Sequence, residues 1–333
     1  MVEPVGIREV AARAGVSKST VSNVLNRPDR VSSDAVARVH AAIKELGFVR
    51  NDAARQLRVG HSKSIGMVLF DIRNPYFAEL ARGAEAAAEE RGYAVLIGNS
   101  DQSAAREQRY LDLFEEHRVA GVLISPRGDI SAQIRRLRAK KLPTVLFDRS
   151  EAAGVCCYAT NDDIAGGRTA AEHLLERGRR RLFFVGGPAD VPQYADRLEG
   201  VRQAVTAVPG ATLDVIAVEQ PDARHAQVAG EALARNWSGA PDGIISSNDL
   251  VALGLLHALT EAGIRVPEDV GIVGHDDIQF AEGASVPLTS VKQPAEAIGR
   301  AAVELLLREI DEGDEHVHRR IVFEPELVAR RSS

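Results

Sequence analysis

Hydrophobic positions in the first 46 residues recur every three to four residues, which is the spacing of an amphipathic α-helix. They define three predicted helices, whose apolar positions are Ile7, Val10, Ala11 and Ala14, then Val21, Val24 and Leu25, then Val36, Val39, Ile43 and Leu46. Gly15 can reverse the chain after the first helix, Ser17 is a candidate N-cap of the second, and Ser32 or Ser33 of the third. The pattern predicts a helix-turn-helix within a three-helix core.

Short apolar runs alternate with amphipathic segments from residue 64 onward. The predicted strands are 65–70, 94–98, 121–124, 144–147, 182–185, 243–246 and 271–274. The predicted helices between them include 76–91, 104–117, 163–177, 193–207 and 248–262. This alternation is typical of parallel sheets covered by helices on both faces, and about 270 residues of it are enough for two doubly wound α/β lobes.

The second predicted helix combines a buried stripe with an exposed face of short polar side chains. With its N-cap, that face comprises Ser17, Lys18, Ser19, Thr20, Ser22, Asn23 and Asn26. Such a helix fits the major groove of DNA, where Lys suits guanine acceptors, Asn suits adenine and hydroxyl groups suit phosphates. An ordinary solvated helix face is the alternative interpretation. The agreement of the turn, the small polar helix and its N-terminal position favours DNA recognition.

Polar and aromatic residues follow many of the predicted strands, at the positions where ligands of open parallel sheets bind. They are Asp71, Asn74, Tyr76, Phe77, Asp148, Arg149, Thr160, Asn161, Asp162, Gln193, Tyr194, Asp196, Arg197, Asn248, Asp249, Asp276, Asp277 and Gln293. Carboxylates, amides and Arg beside aromatic rings suit a polyhydroxylated ring, since its hydroxyl groups both donate and accept while its apolar face stacks. The set therefore predicts a ligand site at these strand ends.

Several of these residues also have a purely structural interpretation. Asp162 or Asp163 can cap the helix that follows, and Asp249 can orient the start of another helix. The aromatic pair at 76 and 77 can belong to the core. Outside the set, Arg224 is more often a solvated side chain than a ligand contact, although an effector with a carboxylate or a phosphate would favour it.

The formal net charge of −6 is unevenly distributed along the 333 residues. Residues 1–63 hold 11 Lys and Arg against 6 Asp and Glu, a balance of +5, which leaves 30 against 41, or −11, for the remainder. A basic module on an acidic body is typical of a protein that binds DNA phosphates with one part only. The sequence has neither a run of about 20 apolar residues nor the apolar segment of a signal peptide, so we expect a cytoplasmic protein.

The sequence offers little for catalysis or for metal binding. It contains neither a dinucleotide-binding fingerprint, nor a P-loop, nor a nucleophile elbow. Cys156 and Cys157 are adjacent, so they do not bridge readily and offer no zinc-ligand spacing, and we expect two reduced cysteines in a buried strand. The binding of ligand hydroxyl groups explains the acidic residues that follow the strands, and no catalytic role is needed for them. We therefore expect neither an enzyme, nor a cofactor, nor a metal site.

The segment VAARAGVSKSTVSNVLN at 10–26 resembles the DNA-binding headpiece of the lactose/galactose repressor (LacI/GalR) family of bacterial transcription regulators. The resemblance implies a hinge helix in NDAARQL at 51–57, which orders only when two subunits meet on an operator. It also implies that Leu57 inserts into the minor groove with Ala54 beside it. A plain flexible linker is the alternative, and in either case Arg55 and Arg58 can contact phosphates.

The body resembles periplasmic sugar-binding proteins, in particular those of the ribose-binding type. The motifs that carry this resemblance are NPYF at 74–77, FDR at 147–149, ADRLEG at 195–200, SSND at 246–249, GHDD at 274–277 and KQP at 292–294. The implied effector site comprises Asn74, Tyr76, Phe77, Asp148, Arg149, Thr160, Asn161, Arg197, Asn248, Asp276 and Gln293, and the implied effector is a pentose or a similar small sugar. Two positions depart from the pattern, because EQPDARHAQ at 219–227 lacks an aromatic residue and His275 replaces one.

The resemblance implies a headpiece at 1–50, a hinge at 51–63, an N-terminal effector subdomain at 64–160 with 291–322, and a C-terminal one at 161–290 with 323–333. Such a protein is expected to bind double-stranded operator DNA as a homodimer, or as a tetramer, and to repress until the sugar binds. A nucleoside, a sugar phosphate or an acidic molecule is the alternative effector. A sugar-binding protein without a DNA role and an enzyme are the alternative classes.

Overall fold

A computed structural model of the chain describes residues 5–48, 62–150, 154–237 and 241–333. The chain divides into two compact units, residues 1–62 and 63–333. Within the described ranges, no helix is both long enough and apolar enough to cross a lipid bilayer.

The N-terminal unit contains three helices, which are α1 (Ile7–Ala14), α2 (Lys18–Asn26) and α3 (Ser33–Leu46). A single 3-10 turn, Pro28–Arg30, lies between the last two. Val10, Val21 and Val39, one from each helix, are fully buried together at the centre of the unit. The apolar stripes therefore pack against one another, as the helical spacing predicts.

The turn between α1 and α2 has the predicted chemistry. Gly15 adopts the left-handed backbone at φ 63°, which an L side chain rarely adopts, and the N–H of Val16 donates to Ala11 O at 3.1 Å. Ser17 then caps α2 by accepting the N–H of Thr20 at 3.1 Å. The helix-turn-helix prediction is confirmed.

The second unit contains two parallel sheets. The first sheet consists of β1 (Ser64–Leu69), β2 (Ala94–Asn99), β3 (Gly121–Ile124), β4 (Thr144–Phe147), β5 (Cys157–Asn161) and β11 (Arg320–Phe323). The second sheet consists of β6 (Arg181–Gly186), β7 (Thr212–Ala217), β8 (Gly243–Ser246), β9 (Gly271–Asp276), β10 (Thr289–Lys292) and β12 (Glu326–Val328). Only the β10–β12 pair is antiparallel among the strand pairs of the described residues.

Helices cover the faces of both sheets. Those that pack with the first sheet are α4 (Pro75–Glu90), α5 (Ala104–Glu116), α6 (Ser131–Ala139) and α12 (Ala295–Glu312). Those of the second sheet are α7 (Asp163–Glu176), α8 (Pro192–Thr206), α9 (Ala223–Arg235), α10 (Asp249–Glu261) and α11 (Gln279–Glu282), and a 3-10 turn, Gly313–Glu315, follows α12. Each sheet with its helices is called a lobe below. The two-lobed α/β prediction is confirmed.

The two sheets share one strand order, β2-β1-β3-β4-β5-β11 in the first lobe and β7-β6-β8-β9-β10-β12 in the second. In each sheet, the second strand of the lobe pairs with one edge of the first strand, and the third strand pairs with its other edge. The loops that follow β1 and β3, and those that follow β6 and β8, therefore diverge and leave a crevice. The chain passes between sheets after β5, after β10 and after β11. The subdomain ranges given above stay a prediction.

Two pairs of glycines let helices of each lobe touch backbone to backbone. A Cβ atom on Gly167 of α7 would lie 1.9 Å from Arg197 O of α8, and one on Gly200 would lie 1.9 Å from Ile164 O. Gly83 and Gly299 form the equivalent contact between α4 and α12. The close α7–α8 crossing fixes the backbone that carries Arg197, a buried cation at the carboxyl ends of the strands.

Candidate functional site

The exposed face of α2 is organised by hydrogen bonds among its own polar side chains. Ser17 Oγ lies 2.7 Å from Ser19 Oγ and 2.8 Å from Thr20 Oγ1, and the Asn26 amide donates to Ser22 O at 2.7 Å. These bonds hold the hydroxyl groups in fixed positions before any partner is met.

Lys18 and Asn23 complete this face as exposed side chains on the first and second turns of α2. A cation and an amide on an otherwise small helix surface are the groups that read guanine and adenine edges. Ala54 and Leu57, the predicted minor-groove residues, lie outside the described residues.

A small cavity of about 20 Å³ lies at the carboxyl ends of the strands, where the two lobes meet. Its wall combines apolar and polar side chains from both lobes, namely Phe70, Asn74, Tyr76, Phe77, Asp148, Val191, Gln193, Tyr194, Arg197, Asn248 and Asp276. A volume of this size holds about one water molecule. The side chains that line the cavity therefore satisfy most of their polar groups with one another.

Arg197 is the cation at the centre of this wall, and its side chain is 5% exposed. Its Nε donates to Asp163 Oδ1 at 2.8 Å, one guanidinium nitrogen donates to Ser247 O, and the same nitrogen lies 3.6 Å from Asp276 Oδ1. Burial lowers the pKa of Arg197, but the three carboxylates at 163, 276 and 148 outweigh it and raise the pKa overall. Arg197 is therefore a permanent charge among buried acids.

Asp276 connects the two lobes. It accepts hydrogen bonds from the Asn74 amide and the Gln293 amide, both at 2.7 Å, and Asn74 belongs to the first lobe. Its backbone lies at φ 104°, where residues other than glycine are rare and which neighbouring contacts must hold. Burial raises its pKa to about 6, although Arg197 and the two amides oppose the shift.

Asp148 is the second acid that joins the lobes. Tyr76 Oη donates to Asp148 Oδ1 at 2.7 Å, and the Gln193 amide of the second lobe donates to Asp148 O at 3.0 Å. Burial and the Asp163 carboxylate raise the pKa of this carboxyl and outweigh Arg197 and the Tyr76 bond, which lower it, so that it moves from 3.8 to about 7. The acid therefore titrates near neutral pH.

Seven of the eleven predicted effector residues line the cavity, and they are Asn74, Tyr76, Phe77, Asp148, Arg197, Asn248 and Asp276. Asn161 and Gln293 stand behind them, hydrogen-bonded to each other, and Gln293 also faces an open groove of about 610 Å³ that shares Tyr76 and Asp276 with the cavity. Thr160 is buried in β5 and is not part of the wall. Arg149 lines a different cavity, beside Asp129.

Several of the residues that follow strands have structural roles. Asp162 caps α7 by accepting the N–H of Ala165 at 2.8 Å. Asn248, and not Asp249, caps α10, since it accepts the N–H of Val251 at 2.9 Å. Tyr76 and Phe77 are core residues that also face the cavity. Arg224 is exposed and lies outside the wall.

Sequence reasoning did not assign three contributors to the wall and its network. Asp163, considered only as a helix cap, is the closest carboxylate partner of Arg197. Phe70 and Val191 line the cavity, but as apolar residues they carry no chemical signal in the sequence. Gln193 and Tyr194 follow β6, and the sequence predicts them only as members of the strand-end set.

Polar atoms without a protein partner point to what else the wall can bind. Gln193 Oε1 in the wall and Asn161 Oδ1 behind it are buried and accept no hydrogen bond from any described residue. The rings of Tyr76 and Phe77 meet edge to face, with centroids 5.2 Å apart and planes at 74°. Acceptors, amides, one guanidinium and two aromatic rings in one place can satisfy a small neutral molecule with several hydroxyl groups.

Comparisons with known proteins agree with both parts of this description. Residues 6–51 match the model of the bacterial regulatory proteins of the lacI family, and residues 171–333 match a periplasmic binding protein-like domain. The ribose operon repressor of Bacillus subtilis (strain 168) is 34% identical over 303 residues, which cover 90% of this chain and 90% of that protein.

Two solved structures are similar over most of their length. A lac repressor dimer bound to operator and to an anti-inducer is 25% identical, with a TM-score of 0.85 over 99% of both chains. A lacI-family regulator from Enterococcus faecium with bound ribose is 26% identical, with a TM-score of 0.72 over 81% of this chain and 98% of that chain.

Proposed function

This chain belongs to the lacI family of bacterial regulatory proteins, and we propose that a pentose-sized neutral sugar, bound between its two lobes, controls its affinity for operator DNA. The chain is a DNA-binding repressor with a ligand-binding domain and is not an enzyme. Its place of action is the cytoplasm, where operator DNA is found.

One observation carries the effector proposal: hydrogen-bonding groups of both lobes converge on Asp148, Arg197 and Asp276 beside two aromatic rings that meet edge to face. Sugar hydroxyl groups can replace the Asn74–Asp276 and Tyr76–Asp148 bonds, since they donate and accept equally well. A cavity of about 20 Å³ is too small for a pentose. Binding must therefore move the lobes relative to each other, which is the displacement that an allosteric repressor needs.

The charge of the wall favours a neutral effector over an anionic one. Asp148, Asp163 and Asp276 surround a single guanidinium, that of Arg197, so a phosphate or a carboxylate would meet more acids than cations. The exposed Arg224 supplies no compensating charge to the wall. Ribose bound in the Enterococcus faecium regulator supports a pentose for this chain.

The effector experiment is a thermal-shift screen of the full-length protein with ribose, arabinose, glucose, adenosine and ribose 5-phosphate. We expect a pentose to raise the melting temperature, because a ligand at 100 times its Kd adds about 2.7 kcal/mol to the free energy of unfolding. Asp276→Asn is expected to remove this response, and Arg224→Ala is the matched control that keeps it. A response only to the phosphate, or an unchanged response in Asp276→Asn, would contradict the proposal.

DNA recognition is proposed to depend on the exposed face of α2, namely Ser17, Lys18, Ser19, Thr20, Ser22, Asn23 and Asn26. Asn23→Ala is expected to cost about 1–3 kcal/mol on an operator selected from random duplexes and to relax the preference at one base pair, because a bidentate amide contact is lost. Fluorescence anisotropy on matched and single-base-changed duplexes measures both effects. Lys44→Ala on α3 is the control, and equal changes in base preference for the two variants would count against α2.

A homodimer completes the proposal. Two copies related by a two-fold axis present two recognition helices to a pseudo-palindromic operator. The edge strand β2 exposes Leu96 and Ile97 by 42% and 41%, so it offers an apolar surface that a second copy can cover. A coupling of about 1–3 kcal/mol per ligand is enough for the sugar to release DNA. The hinge residues that would transmit it lie outside the described ranges.

A further inference from the structure

Four potential metal ligands lie together at the amino-terminal end of the first sheet, opposite the end that carries the cavity. They are Cys157 at the start of β5, Glu309 on α12, and His316 and His318 in the segment that leads to β11. One ligand atom from each lies within 4.8 Å of every other. We propose that this protein binds a divalent transition metal ion of the zinc class at these four residues.

The distances among these atoms suit one small ion. Cys157 Sγ lies 3.1 Å from His316 Nε2 and 3.7 Å from His318 Nδ1, and His316 Nε2 lies 4.0 Å from Glu309 Oε2. Tetrahedral ligands with metal bonds of about 2.0–2.3 Å lie roughly 3.3–3.8 Å from one another. Side-chain shifts of up to about an ångström therefore bring the four atoms, which lie within 4.8 Å of one another, to coordination distance.

The cluster is largely shielded from solvent. Cys157 is fully buried, Glu309 is buried, the His316 side chain is 3% exposed, and His318 is half-buried. The intervening Val317 is exposed, because alternate residues of an extended segment point in opposite directions. The His-Val-His segment therefore directs both imidazoles toward the cysteine.

Neighbouring groups orient the ligands in the way that metal sites require. His316 Nδ1 lies 2.7 Å from Glu312 Oε2, which leaves Nε2 with its lone pair free for a metal. The backbone N–H of Arg319 donates to Cys157 Sγ at 3.2 Å, a bond that stabilises a thiolate. Carboxylate–histidine pairs and N–H···S bonds of this kind surround zinc ions in proteins.

A cluster held by hydrogen bonds alone explains the geometry less well. Glu309 Oε2 is buried and has no hydrogen-bond partner among the described residues, although it faces the imidazole of His316. A buried carboxylate oxygen without a partner is costly. A divalent cation would satisfy this oxygen, and the charges of one thiolate and one carboxylate would balance it.

The donor set selects the class of metal. Magnesium and calcium prefer oxygen ligands throughout, whereas one sulfur, two imidazole nitrogens and one carboxylate suit zinc and its neighbours in the transition series. Four protein ligands close the coordination sphere, so the ion has a structural role. It would fasten the 313–319 segment, between α12 and β11, to the first residue of β5.

The experiment uses the full-length protein, freed of metal with a chelator and titrated with Co²⁺ and then with Zn²⁺. We expect one equivalent of Co²⁺ to produce the thiolate charge-transfer absorption and the strong visible bands of a tetrahedral complex, and Zn²⁺ to displace it and raise the melting temperature. Cys157→Ser and His318→Asn are each expected to weaken Zn²⁺ binding by more than about a hundredfold, and Glu312→Gln by about 10–100-fold.

Matched controls separate this site from general metal affinity. Cys156→Ser changes the adjacent cysteine and His117→Asn an exposed histidine, and both are expected to keep the cobalt spectrum. If Cys157→Ser does not fold by circular dichroism, His318→Asn and Glu312→Gln decide the question. A cobalt complex without the thiolate band, or Zn²⁺ affinity that is unchanged in His318→Asn, would overturn the proposal.

Discussion

Replacing Arg197 by Met is expected to lower the free energy of unfolding at pH 7 by about 3–5 kcal/mol, because removing one partner of a buried ion pair leaves the other charge uncompensated. Asp163 loses the Nε donor at 2.8 Å, and Asp276 loses its guanidinium at 3.6 Å. The carboxyl groups respond by taking up protons, so the deficit is expected to shrink between pH 7 and pH 5. Urea unfolding at both pH values measures it.

The same variant tests the proposed effector site. Without the guanidinium the melting temperature should no longer respond to a pentose, whereas operator binding should persist, because the headpiece is a separate unit. Arg197→Lys keeps the charge but not the planar fork and is expected to recover part of the stability only. Arg300→Met is the control, since its ion pair with Glu90 is exposed and exposed pairs contribute about 0–1 kcal/mol. An equally small loss for Arg197→Met would contradict the buried network.

Asp148 is expected to contribute a rise in the free energy of unfolding as the pH falls from 8 to 5. This carboxyl has a pKa of about 7 in the folded protein and an ordinary value of 3.8 when exposed. Between those values the folded state holds more protons than the unfolded state, so the free energy of unfolding rises by up to about 1.4 kcal/mol for each pH unit of acidification. The gain is complete below the unfolded value and is lost above about pH 7.

Asp276, with a pKa of about 6, is expected to add to this dependence over a narrower range. Asp148→Asn isolates the contribution of one group, because the amide cannot titrate: its free energy of unfolding should vary less with pH, and it should exceed that of the natural protein at pH 8. Denaturant unfolding at intervals between pH 5 and pH 8 measures both. Parallel curves for the two proteins would show that Asp148 is already ionised throughout, and Asp277→Asn, whose partner is Arg330, serves as the control.

The wall of the cavity could be predicted only in part, and Arg149 shows why. It follows β4 and carries the right chemistry, but its side chain lines a different cavity. Arg149 lies among the acids Asp196, Asp129 and Glu107, where burial lowers its pKa and those acids oppose the shift. A position after a strand fixes where the backbone of a residue lies. The rotamer of the residue and the neighbouring loops decide which groups its side chain contacts.

The apolar pattern of the sequence predicted some strands and missed others. Buried strands such as β3 and β4 are continuous apolar runs, since both of their faces are covered, and the pattern predicted both of them. β10 (Thr289–Lys292) and β12 (Glu326–Val328) are short and partly polar, and the pattern predicted neither. Their place in the second sheet is decided by pairing with β9 and with each other.

The sequence by itself determined the helix-turn-helix, the alternation of strands and helices, and the polar residues that follow the strands. These features depend on residues within a few positions of one another, through helical spacing, capping and apolar runs. Only the tertiary structure decided that Asp163 pairs with Arg197, that Asn74 reaches Asp276, and that Cys157 meets two histidines about 160 positions away. Those contacts depend on sheet order and on helix crossings such as the one at Gly167, and no local pattern encodes a distance between residues so far apart in the chain.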